Sequence, residues 1–132
     1  MLAAACAATA ALSACAEDGP GSLQVGVRAD RSTLAADGSE SATLLLSLFY
    51  DDGTAGPLGS TVTVLCFDTA QQAFGHLGGS STIGVGTAQV DELGLADLSF
   101  RCSGEAGDEQ TAVCLARFEG SSASSSPIAC AP

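Results

Sequence analysis

The sequence predicts an all-β domain, two packed sheets of about seven antiparallel strands, and three observations carry that expectation. Short runs with period-two hydrophobicity recur along residues 23–130, punctuated by Gly, Pro and Asp turn chemistry. Sixteen glycines, no tryptophan and a dense scatter of Ser and Thr occur without any long amphipathic helical pattern. At 132 residues the chain fits one domain plus a short extension, since domains cluster near roughly 100 to 150 residues.

Each strand follows from its pattern. Leu23-Gln-Val25-Gly-Val27-Arg-Ala29 alternates apolar with small or polar residues, as a half-buried strand does. A turn over residues 34–38 uses Asp37-Gly38. Residues 41–50 are the most hydrophobic run after the first fourteen residues and are bounded by turns, which predicts a central strand. Asp51-Asp52-Gly53 ends it. Gly56-Pro57-Leu58-Gly59 then leads into a third strand over 61–67, with Val62, Val64 and Cys66 on one face. Residues 68–81 have no period and are expected to form a long connection with a short helical turn near 70–74. A thin strand over 82–90 and a hairpin turn at 91–94, with Gly94 in the left-handed position, lead to the fifth strand. That strand turns Ala96, Leu98, Phe100 and Cys102 inward. After a polar loop at 103–110, Ala112, Cys114, Ala116 and Phe118 share a face of the sixth strand. Glu119-Gly120 turns the chain into a last strand over 123–130. Seven strands at this spacing predict an Ig-like β-sandwich.

The N-terminus has a different character. Residues 2–14, LAAACAATAALSA, are uncharged and nearly all small or apolar, so 1–14 is predicted as a cleaved signal peptide, too short for the roughly 20 residues a bilayer-spanning helix needs. No basic segment precedes the apolar run, so the true start is expected upstream of Met1. Leu12-Ser13-Ala14-Cys15 resembles the lipobox of bacterial lipoproteins, which implies lipidation of the Cys15 sulfur and a new N-terminus there. Plain secretion with Cys15 unmodified and a short buried apolar helix without export are the alternatives. A thiolate is the one nucleophile here suited to that chemistry near neutral pH. Residues 15–22 then form the anchor and a flexible Gly- and Pro-containing tether to a domain over 23–132. Ala16 rather than an acid after Cys15 resembles lipoproteins sorted to the outer membrane.

Ala36-Asp37-Gly38 before Ala42-Thr43-Leu44, then Asp52 with Gly56-Pro57-Leu58-Gly59-Ser-Thr-Val62, then Asp91-Glu-Leu-Gly94-Leu-Ala96 ending at Phe100, together resemble the first family of bacterial Ig-like domains, the type repeated in invasin and intimin adhesins. The match covers residues 23–130. Ala55 stands where that family has a glycine and Gly59 comes one residue early, so the turn between the second and third strands is expected to be shorter or rearranged. The resemblance implies a rigid surface module or spacer without catalytic residues.

Four cysteines remain if Cys6 leaves with the signal and Cys15 is acylated: Cys66, Cys102, Cys114 and Cys130. An even number in an oxidising compartment favours disulfides. In an Ig-like topology all four fall at one end of the sandwich. Cys66 with Cys102 and Cys114 with Cys130 is the favoured pairing, and Cys66 with Cys114 plus Cys102 with Cys130 is nearly as good. A four-cysteine zinc site is the sharper alternative, but no two of these residues have the close spacing of zinc ribbons and fingers.

Fifteen acids stand against four arginines and no lysine, a net charge of −11 that repels phosphate backbones, so no nucleic-acid partner is expected. Asp51, Asp52, Asp91, Glu92 and Glu119 fall in connections predicted to share the end opposite the cysteines. The first four are candidates for calcium, against the plainer reading of solvated acidic turns without an Asp-x-Asp-x-Asp loop. His76, the single histidine, lies in a Gly-rich stretch with no assignable acid–base partner, and no serine sits in a nucleophile-elbow motif. No cofactor is implied. The expectation is a non-catalytic, monomeric surface lipoprotein for adhesion or spacing, held to the membrane by its lipid, with a surface protein or glycan of a host or neighbouring cell as partner. A ligand- or glycan-binding accessory lipoprotein of the envelope is the second reading, and a periplasmic or secreted location the alternative.

Overall fold

The computed structural model describes residues 21–104 and 109–132. The predicted signal peptide, the proposed anchor at Cys15 and the tether up to residue 20 lie outside these residues, as does most of the acidic end of the 103–110 loop. The described chain is all-β, with ten strands in two sheets and no helix. It forms an Ig-like sandwich.

In chain order the strands are β1 (Leu23–Ala29), β2 (Thr33–Ala35), β3 (Ser41–Tyr50), β4 (Thr61–Phe67), β5 (His76–Leu77), β6 (Val85–Gln89), β7 (Leu95–Arg101), β8 (Gln110–Phe118), β9 (Ser121–Ser124) and β10 (Ile128–Ala131). One sheet runs β1-β3-β7-β5. The other runs β2-β10-β8-β4-β6, with β9 also on β8. The hydrophobic run predicted as central is β3, held between β1 and β7. Its period-two pattern buries Ala42, Leu44, Leu46 and Leu48 against Val62, Val64 and Cys66 of β4 and Ala112, Cys114 and Ala116 of β8.

Four details depart from the sequence reading. The first predicted strand and its turn become two strands, because the chain changes sheets at residues 30–32. There β2 pairs with β10 in parallel, Leu34 opposite Cys130, and buries Leu34, with Ala36 buried just beyond the strand. The 91–94 turn is not a hairpin. β6 pairs with β4 and β7 with β3, so this turn carries the chain from one sheet to the other, although Gly94 does take the left-handed conformation at φ +76°. No helical turn forms at 70–74. Instead the Asp68 carboxylate accepts from the amides of Ala70 and Gln72 at 2.9 and 3.0 Å, closing a tight reversal that bridges Phe67 to Ala73. The last strand is interrupted between β9 and β10. Ser125, buried there, donates its amide to the Cys114 carbonyl at 2.8 Å and accepts the Cys114 amide on Oγ at 3.1 Å.

The atypical second-to-third strand connection is resolved by the same economy of hydrogen bonds. The Gly53 amide donates to Tyr50 and the Tyr50 amide to Thr54, which closes a tight turn and lets Ala55 bridge to Phe49. Gly56 follows, buried with its amide on the Leu48 carbonyl at 2.8 Å; a Cβ there would meet Leu48 Cγ at 2.8 Å.

Candidate functional site

The sandwich brings candidate residues together at two poles. At the pole of the β7 and β10 termini the four cysteines are buried and form two disulfides, Cys66–Cys114 and Cys102–Cys130. This is the second of the two pairings left open by the sequence, and the favoured one is overturned. Register explains why. Cys130 of β10 sits opposite Gln110 of β8, four residues along the strand from Cys114. At about 3.3 Å per residue that separation is near 13 Å, well beyond the roughly 7 Å Cα limit for a bridge. Cys66 lies directly opposite Cys114, and both bond their amides away from each other, to Gly84 and to Ser125. That makes them a non-hydrogen-bonded pair, the closer kind, with Cα atoms 4.0 Å apart. Cys102 follows β7 in one sheet and Cys130 lies in the other, so the second bridge ties the sheets together at a Cα distance of 6.1 Å. With all four sulfurs in disulfides, the zinc alternative has no thiolates left to use. Two formed bridges fit an oxidising, extracytoplasmic location.

The opposite pole holds the acidic turns, together with the start of β1. The carboxylates of Asp51, Asp52 and Asp91 each have a local hydrogen-bonding role. Asp51 accepts from the Ser22 amide at 3.3 Å and the Gln24 side-chain amide at 3.0 Å, pinning the incoming chain to the β3–β4 turn. Asp52 accepts from the Thr54 hydroxyl at 2.6 Å and the Thr54 amide at 3.0 Å, and these bonds to its charged form hold its carboxyl below the ordinary carboxylate range. Asp91 accepts from the amides of Leu93 and Leu95 at 2.8 and 3.1 Å, shaping the inter-sheet turn. Glu92 and Glu119 are exposed. Among the described residues no three His, Cys, Asp or Glu side chains come together as a metal site. The calcium candidates Asp51, Asp52, Asp91 and Glu92 share a pole but not a centre, because their turns orient them separately. His76 is also moved from where the sequence put it: it is half-buried in β5 opposite Arg101 rather than in a loop.

Beside Asp51 lies an open hollow of about 780 Å³ at the same pole. Gln24, Tyr50, Phe118, Glu119 and Ser122 are among its walls. Sequence reading missed it because its residues come from β1, the end of β3 and the β8–β9 turn, which no local pattern relates. A second open depression, of about 650 Å³, lies on the outer face of β1, β3 and β7 and includes Arg28, Leu45, Leu95 and Asp97.

No family model matches the sequence, and no curated protein matches it. Among solved structures the chain is similar to the D0-D1 domain of intimin, with a TM-score of 0.64 at 16% identity over 86% of this chain and 50% of that one. It is similar also to the D00-D0 domain of intimin, with a TM-score of 0.56 at 16% identity over 80% and 46% of the two chains. The chain thus spans about half the length of each of those structures. The likeness is one of fold, and it is Ig-like.

Proposed function

We propose that the chain is a non-catalytic Ig-like module of the cell envelope, exported, lipidated at Cys15, and serving adhesion or spacing at an outer-membrane or cell surface. Its parts are the cleaved segment 1–14, the anchor and tether 15–22, and the domain 23–132. One observation carries the reading: the described chain starts at one pole of the sandwich and leaves at the other. Leu23 pairs with Tyr50 at the pole of the acidic turns, whereas Ala131 pairs with Ala35 at the pole of the disulfides. The nine residues of β8 that run between the poles span about 30 Å at roughly 3.3 Å each. A rigid body held at one end holds whatever follows or contacts its far end at a fixed distance from the anchor. Detergent phase partition tests the anchor. Wild type is expected in the detergent phase and Cys15→Ala in the aqueous phase; an aqueous wild type overturns lipidation.

The hollow beside Tyr50 favours a second reading, a ligand- or glycan-binding accessory lipoprotein. An aromatic ring flanked by Gln24, Glu119 and Ser122 offers a stacking surface with polar groups around it. Saturable oligosaccharide binding lost in Tyr50→Ala supports that reading, and binding unchanged by the substitution removes the hollow from it.

A further inference from the structure

The lateral edges of the two sheets are not alike. β2 offers three residues and β5 two. The β1 edge leans on β9, where the Val25 amide donates to Ser121 Oγ at 3.0 Å. β6 is the remaining edge, and its open groups follow from the ladder. The Val90 amide donates to Ser60 at 3.0 Å and the Cys66 amide to Gly84 at 2.8 Å, which fixes the hydrogen-bonded positions between β4 and β6. By the alternation of an antiparallel pair, Gly86 and Ala88 bond to Val64 and Val62, while Thr87 and Gln89 direct amide and carbonyl off the edge. No hydrogen bond among the described residues reaches those groups. Edge strands are ordinarily protected by charge, proline, a bulge or a covering segment. Val85–Gln89 reads VGTAQ, with no charge and no proline, and Thr87 and Gln89 are exposed.

Charge says what this edge can meet. With a net charge of −11, two copies of the chain repel across most approaches. Residues 69–90 contain no Asp, Glu, Lys or Arg, and they hold β5, β6 and the link between them. This flank is where like copies approach at least electrostatic cost, and it is also where the open backbone groups are.

We infer that β6 pairs with β6 of a second copy of this chain. A strand paired with itself about a two-fold axis runs antiparallel. Centred on Thr87, the pairing exchanges both amide-to-carbonyl bonds between the two Thr87 residues and sets each Gln89 amide against the Val85 carbonyl of the other copy. The pairing departs from the monomer expected from sequence. It is weak, because one strand pair buries well under the roughly 800 Å² per partner of a stable interface, and it strengthens where many copies face one another. Antiparallel pairing also puts the two N-terminal poles at opposite ends of the dimer. If the copies are anchored as proposed above, on which this last point rests, paired copies stand on facing surfaces.

Sedimentation equilibrium on the full chain carrying Cys15→Ala, which keeps acyl chains out of the measurement, tests the pairing. Average mass is expected to rise toward twice the monomer up to about 1 mM, and to rise further with about 0.5 M salt as repulsion is screened. Thr87→Lys sets like charges opposite each other, and Thr87→Pro removes the open donor while leaving the β4 ladder whole. Each is expected to weaken dimerisation at least about tenfold without changing the thermal melt. Amide exchange supplies a readout that needs no variant: Thr87 and Gln89 amides are expected to slow with concentration. A chain that stays monomeric, exchange independent of concentration, or a dimer indifferent to both substitutions overturns the inference. Protection of those amides only by an added extended peptide overturns self-pairing in favour of another partner. A dimer that fails to bridge lipid-anchored copies on separate vesicles leaves the pairing standing and counts against the adhesion reading alone.

Discussion

Gly94 is a position where one methyl group would disturb the connection between the sheets. Its φ of +76° disfavours any Cβ, and a Cβ would meet the Leu48 carbonyl oxygen at 2.5 Å and the Ala55 Cβ at 3.2 Å. Gly53 shares the left-handed conformation, at φ +89°, but opens onto space. Gly53→Ala is therefore expected to cost about 1 kcal/mol and Gly94→Ala at least about 2 kcal/mol, measured by urea unfolding. Asp37 and Asp52 set an acid limit at the same scale. Ser39 and Thr54 hydrogen-bond their charged forms and hold both carboxyls below the ordinary value of 3.8. The unfolded chain then binds more protons in that range. Stability from these bonds is complete above the ordinary value and is lost as pH falls through the lowered folded values. Thr54→Val is expected to move the Asp52 carboxyl back toward its ordinary range in an NMR titration, leaving Asp37 unchanged.

At the scale of elements, what was legible in the sequence is what alternation alone decides. β4 buries Val62, Val64 and Cys66, and β8 buries Ala112, Cys114 and Ala116 with Phe118 half-buried, on the faces their period-two patterns assign, because a one-residue slip would turn each set out to water. Partner choice was less legible. The Asp91-to-Gly94 segment has hairpin chemistry, yet the same bonds serve a connection between sheets, and only the partners of β6 and β7 decide which it is. Disulfide pairing failed for the same reason, since it depends on register across β8 and β10 rather than on strand order. Leu77 and Phe74, buried in the core from a Gly-rich stretch without period, left no pattern to read. The interruption at Ser125 had only the Ser-rich run and Pro127 to announce it. Ser125→Ala strands the Cys114 amide in a buried site, and we expect a loss of about 1 to 3 kcal/mol in chemical denaturation.

On the whole-molecule scale, two bridges compensate for a core poor in aromatics. Their sequence separations, 48 and 28, correspond to roughly 4 kcal/mol each in the chain-entropy account of a cross-link. Cys66–Cys114 fixes neighbours within one sheet and Cys102–Cys130 fixes one sheet to the other, so the sandwich is locked at the pole away from the incoming chain. The proposed function places the remaining chemistry on Cys15, ahead of the described domain in sequence. A module anchored there needs Cys15 outside every disulfide, and the four cysteines of the domain pair among themselves. The direct test is a non-reducing peptide map with intact mass on protein taken from the membrane fraction. Cys66 linked to Cys114, Cys102 linked to Cys130, and an N-terminal peptide beginning at acylated Cys15 are the expected species. Cys15 found in a disulfide, or an unmodified N-terminus elsewhere, would contradict it.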